Sequence, residues 1–140
     1  PGQPTVWWQG RHSQGGVLIW DRAVRVFDVT DGLSNTMVVS EHSRFPRSNA
    51  GSGLLIGHTL GGDRRVFNLT TIRYRINEPD GSLVGNGAGA PNVNLHSPHS
   101  GGVNAAFGDG SVRFLRDSLD LQTLYNLANR DDGKVIVGNF

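Results

Sequence analysis

Apolar positions along this chain fall into short runs, parted by stretches rich in glycine and polar residues. Val17-Leu18-Ile19-Trp20 is one such run and reads as a strand, with β-branched character continuing from Arg22 to Val29. Asp31-Gly32 then signals a turn, followed by Ser34-Asn35-Thr36. Met37-Val38-Val39-Ser40-Glu41 has three apolar residues together and predicts a largely buried strand. Between Thr70 and Ile76 the pattern alternates: Ile72, Tyr74 and Ile76 share one face, and Thr71, Arg73 and Arg75 the other. That period predicts a half-exposed antiparallel strand. Asp120 to Arg130 carries a helical period in Leu121, Leu124, Tyr125 and Ala128. Ser118 or Asp120 can cap its start, and Gly133 follows its end. Val135-Ile136-Val137 reads as a last short strand. Residues 43–66 and 77–98 read as long loops, the second punctuated by Pro79, Asp80-Gly81, Asn86-Gly87 and Pro91. The expected fold class is α+β: mainly antiparallel sheet, long loops and one C-terminal helix, in a single globular domain over residues 1–140.

The stretch HSGGVNAAFGDGSVRFL, His99 to Leu115, predicts a hairpin. Asp109-Gly110 suits the centre of a two-residue type I′ turn. That register pairs Phe107 with Val112, Ala105 with Phe114 and Asn104 with Leu115. Val103, Ala105 and Phe107 then share a face with Val112 and Phe114, while Asn104 and Arg113 decorate the other. A three-residue loop would mix apolar and polar residues on each face. In an extended strand His99 stands on the order of 20 Å from Asp109. The two meet in one site only if the chain folds back at Gly101-Gly102.

Composition narrows the function classes. Glycine is abundant, 20 of 140 residues, in keeping with a loop-rich chain. Net charge is +1, and twelve of the 13 basic residues are dispersed arginines, so no nucleic-acid stripe is expected. There is no cysteine, which excludes disulfides and thiolate chemistry. No apolar run is long enough to span a bilayer. Trp7 and Trp8 are adjacent, so on a strand they face opposite ways and cannot both enter one core, and the pair is a candidate partner contact.

Candidate chemistry is sparse. Glu41, one of two glutamates, is expected to pair with an arginine. His96 and His99 flank Pro98, which disfavours a shared helical face, and read as loop histidines rather than a zinc pair. The serine of Gly51-Ser52-Gly53 lacks a nucleophile elbow around it. The oxygen-rich turns at 28–35 and 77–94 could hold calcium, though neither has the spacing of a strong calcium loop. No other cofactor is expected.

Three segments nevertheless resemble a known family. His99, nine residues, then Asp109-Gly110 is similar to the H-x9-DG motif of prepilin-type proteins abundant in planctomycete-like bacteria. VTDGLSNTMVVSE, Val29 to Glu41, resembles that family's segment with Asp31, Gly32, Asn35 and Glu41 at its marked positions. His99 to Leu115 resembles its H-x-G-G-x-N block, matching at Gly101, Gly102 and Asn104, and Arg116 to Ile136 its helical tail. The resemblance implies the globular head of a pseudopilin-like protein, exported to the cell surface, periplasm or exterior. Such a head is a non-enzymatic subunit of a type IV pilus-like filament or a type II secretion-like assembly, with other protein subunits as homo- or hetero-oligomeric partners. Family members ordinarily open with a prepilin leader and a long hydrophobic helix. Neither stands in these residues, so membrane attachment is expected only through a helix outside them. No catalytic residue is implied. The family also carries a solute-binding label, so the second expectation is an extracellular module for a small solute, a glycan or calcium. A third is a hydrolase using His99 or His96 with Asp109 or Glu41.

Overall fold

The computed structural model describes residues 5–7, 10–19, 22–41, 72, 74–78, 95–134 and 136, with the backbone alone before residue 13. The chain has an α+β fold. Strands β1 (Thr5–Trp7) and β2 (Gly10–His12) form an antiparallel pair, with Trp7 opposite Gly10. Strands β3 (Met37–Ser40), β4 (Gly102–Phe107) and β5 (Val112–Arg116) form a three-stranded antiparallel sheet in that order. Helix α1 (Leu121–Ala128) follows β5 directly. Among the described residues no helix is long and apolar enough to cross a membrane.

The core lies on one face of the larger sheet. Met37, Val103, Ala105, Phe107 and Leu115 are buried there with Leu124 and Leu127 of α1, and Ile76 and Leu95 close the cluster. Asp120 caps the helix, its carboxylate accepting from Thr123 N at 2.9 Å and from the Thr123 hydroxyl at 2.6 Å. Leu127, outside the predicted stripe, is fully buried, whereas Tyr125 is half-buried. At about 100° per residue, a stripe centred between Leu124 and Leu127 leaves Tyr125 about 130° from its centre, off the apolar face.

The hairpin does not take the predicted register. Ala106 pairs with Val112, Ala105 with Arg113, Asn104 with Phe114 and Val103 with Leu115. Phe107 N donates to Ser111 O at 2.9 Å and Gly110 N to Phe107 O at 3.0 Å, which closes a three-residue loop of Gly108, Asp109 and Gly110. Only Gly110 has positive φ, +86°, so Asp109 avoids the left-handed conformation that a type I′ turn demands. Asp109 instead accepts from Ser111 N at 2.9 Å and its hydroxyl at 2.7 Å. Thr36 O and Leu33 O take the N–H groups of Gly108 and Asp109. The one-residue shift sends Val112 and Phe114 to the outer face, beside Asn104 and Ala106. Arg113 moves to the inner face, its guanidinium 4.4 Å from the centre of the Phe107 ring. Asn104 and Arg113 therefore lie on opposite faces.

Other predicted elements also change. Residues 14–18 are bends, and Ile19 forms only an isolated bridge to Arg22. The buried Arg130 claims carbonyls here that a strand would need: its side chain donates to Gln14 O and Gly16 O, and its N–H to Gly15 O. Val26–Asp28 is a 3₁₀ turn, not extended chain. β3 is buried at Met37 but Val39 points to solvent, so that strand is one-sided. Ile76 is buried and Ile72 packs on the core while Arg75 is exposed, as the alternation predicts. Yet none of the described residues from 72 to 76 is in a strand. Arg75 N bonds to the Glu78 carboxylate, Glu78 N to Arg75 O, and Asn77 turns the chain with φ +56°. Ile136 packs on the core outside any strand. The 43–66 loop, most of 77–94, His42, His58 and Trp8 lie outside the described residues.

Candidate functional site

The motif residues separate into two groups at opposite ends of β4. At its start, Gly101 has φ +82° and turns the chain into the strand, and Asp117 N bonds back to Gly101 O at 2.9 Å. At its end stands the Asp109-Gly110 loop. His99 and Asp109 thus have separate partners, and no fold-back joins them.

His99 instead meets Glu41. Its Nε2 donates to Glu41 Oε1 at 3.2 Å. Glu41 Oε2 accepts from Asn104 N at 2.8 Å, and Oε1 also from Asn104 Nδ2 at 3.3 Å. The expected arginine partner is replaced by a backbone amide, because antiparallel pairing of β3 and β4 delivers Asn104 beside the end of β3. Glu41 N donates to Asn104 O, and His96 N to Glu41 O. Ser97 completes the cluster. Its Oγ accepts from His99 N at 3.2 Å and its N donates to Asn77 Oδ1 at 3.0 Å. Glu41 is thereby a clip that ties three backbone segments together. Ser97 and Asn77 were not among the predicted site residues. The Ser-Pro-His spacing was the available signal, since a serine oxygen readily accepts from the amide two residues on.

The Asn104 amide holds the Glu41 carboxyl below the ordinary value of 4.5, helped by the Asn104 side chain, Ser97 and the charge on His99, against desolvation. A depressed carboxyl contributes stability above its unfolded pKa and loses it as pH falls through the folded one. Glu41→Gln is accordingly expected to lower stability by about 1–2 kcal/mol near neutral pH, toward the low end because the side chain is partly solvated. The deficit should begin to shrink only as pH falls below about 4.5 and should vanish once pH has passed below the depressed folded pKa. Urea unfolding at a series of pH values reads this directly, and a pH-independent deficit contradicts it.

The second motif segment also organises backbone. Asp31, buried, accepts from Asp132 N at 2.8 Å through Oδ2 and from Gly133 N at 2.9 Å through Oδ1. Gly32 has φ +92°, Asn35 Nδ2 donates to Asp31 O at 3.0 Å, and the buried Thr36 hydroxyl donates to Gly32 O at 3.1 Å. Asp28 binds the Arg25 guanidinium with both oxygens. The acids of the 28–35 turn thus face N–H donors, which does not fit a calcium loop. Among the described residues no group of three or more His, Asp or Glu is placed to hold a metal.

One cleft stands apart from the motif. It encloses about 410 Å³ beside α1, with Leu18, Ile72, Tyr125 and Ala128 among its apolar lining and Asp132 and Lys134 among its charged lining.

No curated protein and no solved structure matches the chain. A family model does, over residues 1–122, which takes in the clip, the Asp31 turn and the whole β3–β4–β5 sheet. The chain therefore belongs to the family described as a protein of unknown function, DUF1559.

Proposed function

We propose that this chain is the globular head of a pseudopilin-like exported protein, a non-enzymatic structural subunit of a cell-surface filament or secretion assembly. The observation that carries the reading is apolar surface on ordered elements. Phe27 is 89% exposed, Val112 66% and Val39 51%. Val39 and Val112 flank Ala106 in one row across the outer sheet face, with Phe114 beside them. Apolar side chains gathered this way favour contact with a neighbouring protein. The motif supports the same reading, because its acids hold backbone amides. Ser97 is buried and its hydroxyl oxygen accepts from the His99 backbone amide, while the His99 imidazole turns Nε2 to Glu41, an arrangement that does not set serine against imidazole for nucleophilic attack.

The test uses the absence of cysteine from these 140 residues. Val112→Cys in the full-length protein, produced in its own cells, is expected to crosslink into multimers under oxidant and to react with a membrane-impermeant thiol reagent. A protein that stays uncrosslinked and unlabelled overturns the reading. A second reading, an extracellular module for a small solute or glycan, is favoured by the cleft, where Tyr125 stands beside Gln122 and Asn129. Calorimetry against a glycan panel distinguishes it.

A further inference from the structure

We propose that two copies of this chain pair by seating Phe27 of each copy in the cleft beside α1 of the other. Phe27 is the most exposed large apolar residue among those described, at 89%, and Val26 beside it is 63% exposed. An aromatic ring left in water is ordinarily mobile, but this one stands on a fixed base. Arg25 N donates to Asp28 Oδ2 at 2.9 Å, and the Arg25 guanidinium grips both Asp28 oxygens at 3.1 and 3.3 Å. Asp28 N returns to Arg25 O at 2.9 Å and Val29 N to Val26 O at 3.2 Å. The turn therefore presents Phe27 as a preorganised knob, which lowers the ordering cost of seating it.

The same chain carries a matching receptacle. The cleft of about 410 Å³ has room for a phenyl ring and the neighbouring isopropyl group. Leu18 on its wall is itself 55% exposed, while Ile72 and Ala128 join its floor to the core. Charge matches at the rim. The knob carries Arg25 and Asp28 at its base, and the cleft carries Asp132 and Lys134. Each side carries one charge of either sign, so the seating that sets Arg25 against Asp132 and Asp28 against Lys134 is the attractive one, and the side chain of Arg25 is 78% exposed and accessible to a partner.

The symmetry follows from where the two features lie. Asp31, four residues after Phe27, grips the amides of Asp132 and Gly133. Knob and cleft thus adjoin one turn, and a two-fold axis between copies brings each knob to the other's cleft, the closed arrangement that homo-oligomers favour. A buried aromatic anchor ringed by charges is the usual centre of binding energy in an interface.

This contact rests on the assembly reading above and names one joint within it. The test is sedimentation velocity of the full chain over a concentration series. Wild type is expected to show a monomer–dimer equilibrium, and Phe27→Asp to weaken it by at least about tenfold with an unchanged melting temperature. Leu18→Asp, which spoils the cleft, should do the same. Mixing these two variants restores one intact knob–cleft half, so a 1:1 heterodimer is expected where neither variant pairs alone. A wild type that stays monomeric overturns the proposal. So does association that survives Phe27→Asp, or that is lost through Val112→Asp instead. A monomeric wild type whose cleft binds a glycan, with binding abolished by Leu18→Asp, assigns the cleft to a solute and overturns it as well. If this contact fails while Val112→Cys crosslinks persist in cells, assembly stands and uses another face.

Discussion

An Asp31→Ala chain is expected to lose about 3 kcal/mol and to melt roughly 10 °C below wild type. Asp31 is buried, and its two carboxylate oxygens accept from Asp132 N and Gly133 N at 2.8 and 2.9 Å. Its own N–H donates to Arg130 O at 3.1 Å. Truncation leaves two amides without their carboxylate acceptors and opens a gap at a buried side chain. It also frees the segment behind α1, where Arg130 fastens the carbonyls of Gln14 and Gly16. Asp31→Asn keeps the volume but turns one acceptor into an NH₂ group facing an N–H, so it should recover little. Asp28→Ala is the comparison, because its carboxylate serves an exposed pair with Arg25 and should leave the midpoint close to wild type. Thermal and urea unfolding of the three variants decide the matter. An Asp31→Ala chain within about 1 kcal/mol of wild type removes the carboxylate from the set of structural ties.

Much of this was legible locally, and the failures have a common physical form. The helix, its Asp120 cap and the turn at Asp31-Gly32 are all specified within a few residues. So is the burial of Ile72 and Ile76, although the backbone that carries them is spent on a turn at Asn77 rather than on a ladder. The Asp-Gly pair and the apolar alternation both point to a two-residue turn, yet Asp109 does not take the left-handed conformation that turn needs. Val112 and Phe114 look like core residues, but a loop with one left-handed position at Gly110 outweighs their alternation and turns them outward. As a partner of Glu41, His99 enters the sequence reading only as one branch of the hydrolase expectation and Asn104 not at all, since they lie 58 and 63 residues away. Only the sheet brings them together. The nine-residue spacing between His99 and Asp109 likewise reports structure: a short loop, the six residues of β4 and the start of its turn. It measures a strand and does not bracket a site.

Gly102→Ala is expected to be the more damaging substitution at the glycine pair, costing about 3 kcal/mol or more. A Cβ there would stand 2.1 Å from Leu115 O and 2.9 Å from Phe114 Cε1. The first contact is with backbone of the paired strand, so no rotamer change relieves it, and β4 and β5 must separate where Val103 and Leu115 are fully buried. Gly101→Ala is different in kind. A Cβ at Gly101 meets nothing within 4 Å, and its cost is the strain of φ +82°, about 1–2 kcal/mol. Native-state hydrogen exchange separates the two effects. Gly102→Ala should strip protection from the Val103–Leu115 pair, whereas Gly101→Ala should lower stability while leaving the pattern of protection intact. The first glycine thus serves conformation and the second serves proximity. Equal losses at both positions would mean that the turn into β4, not the close approach of the strands, is what the pair secures.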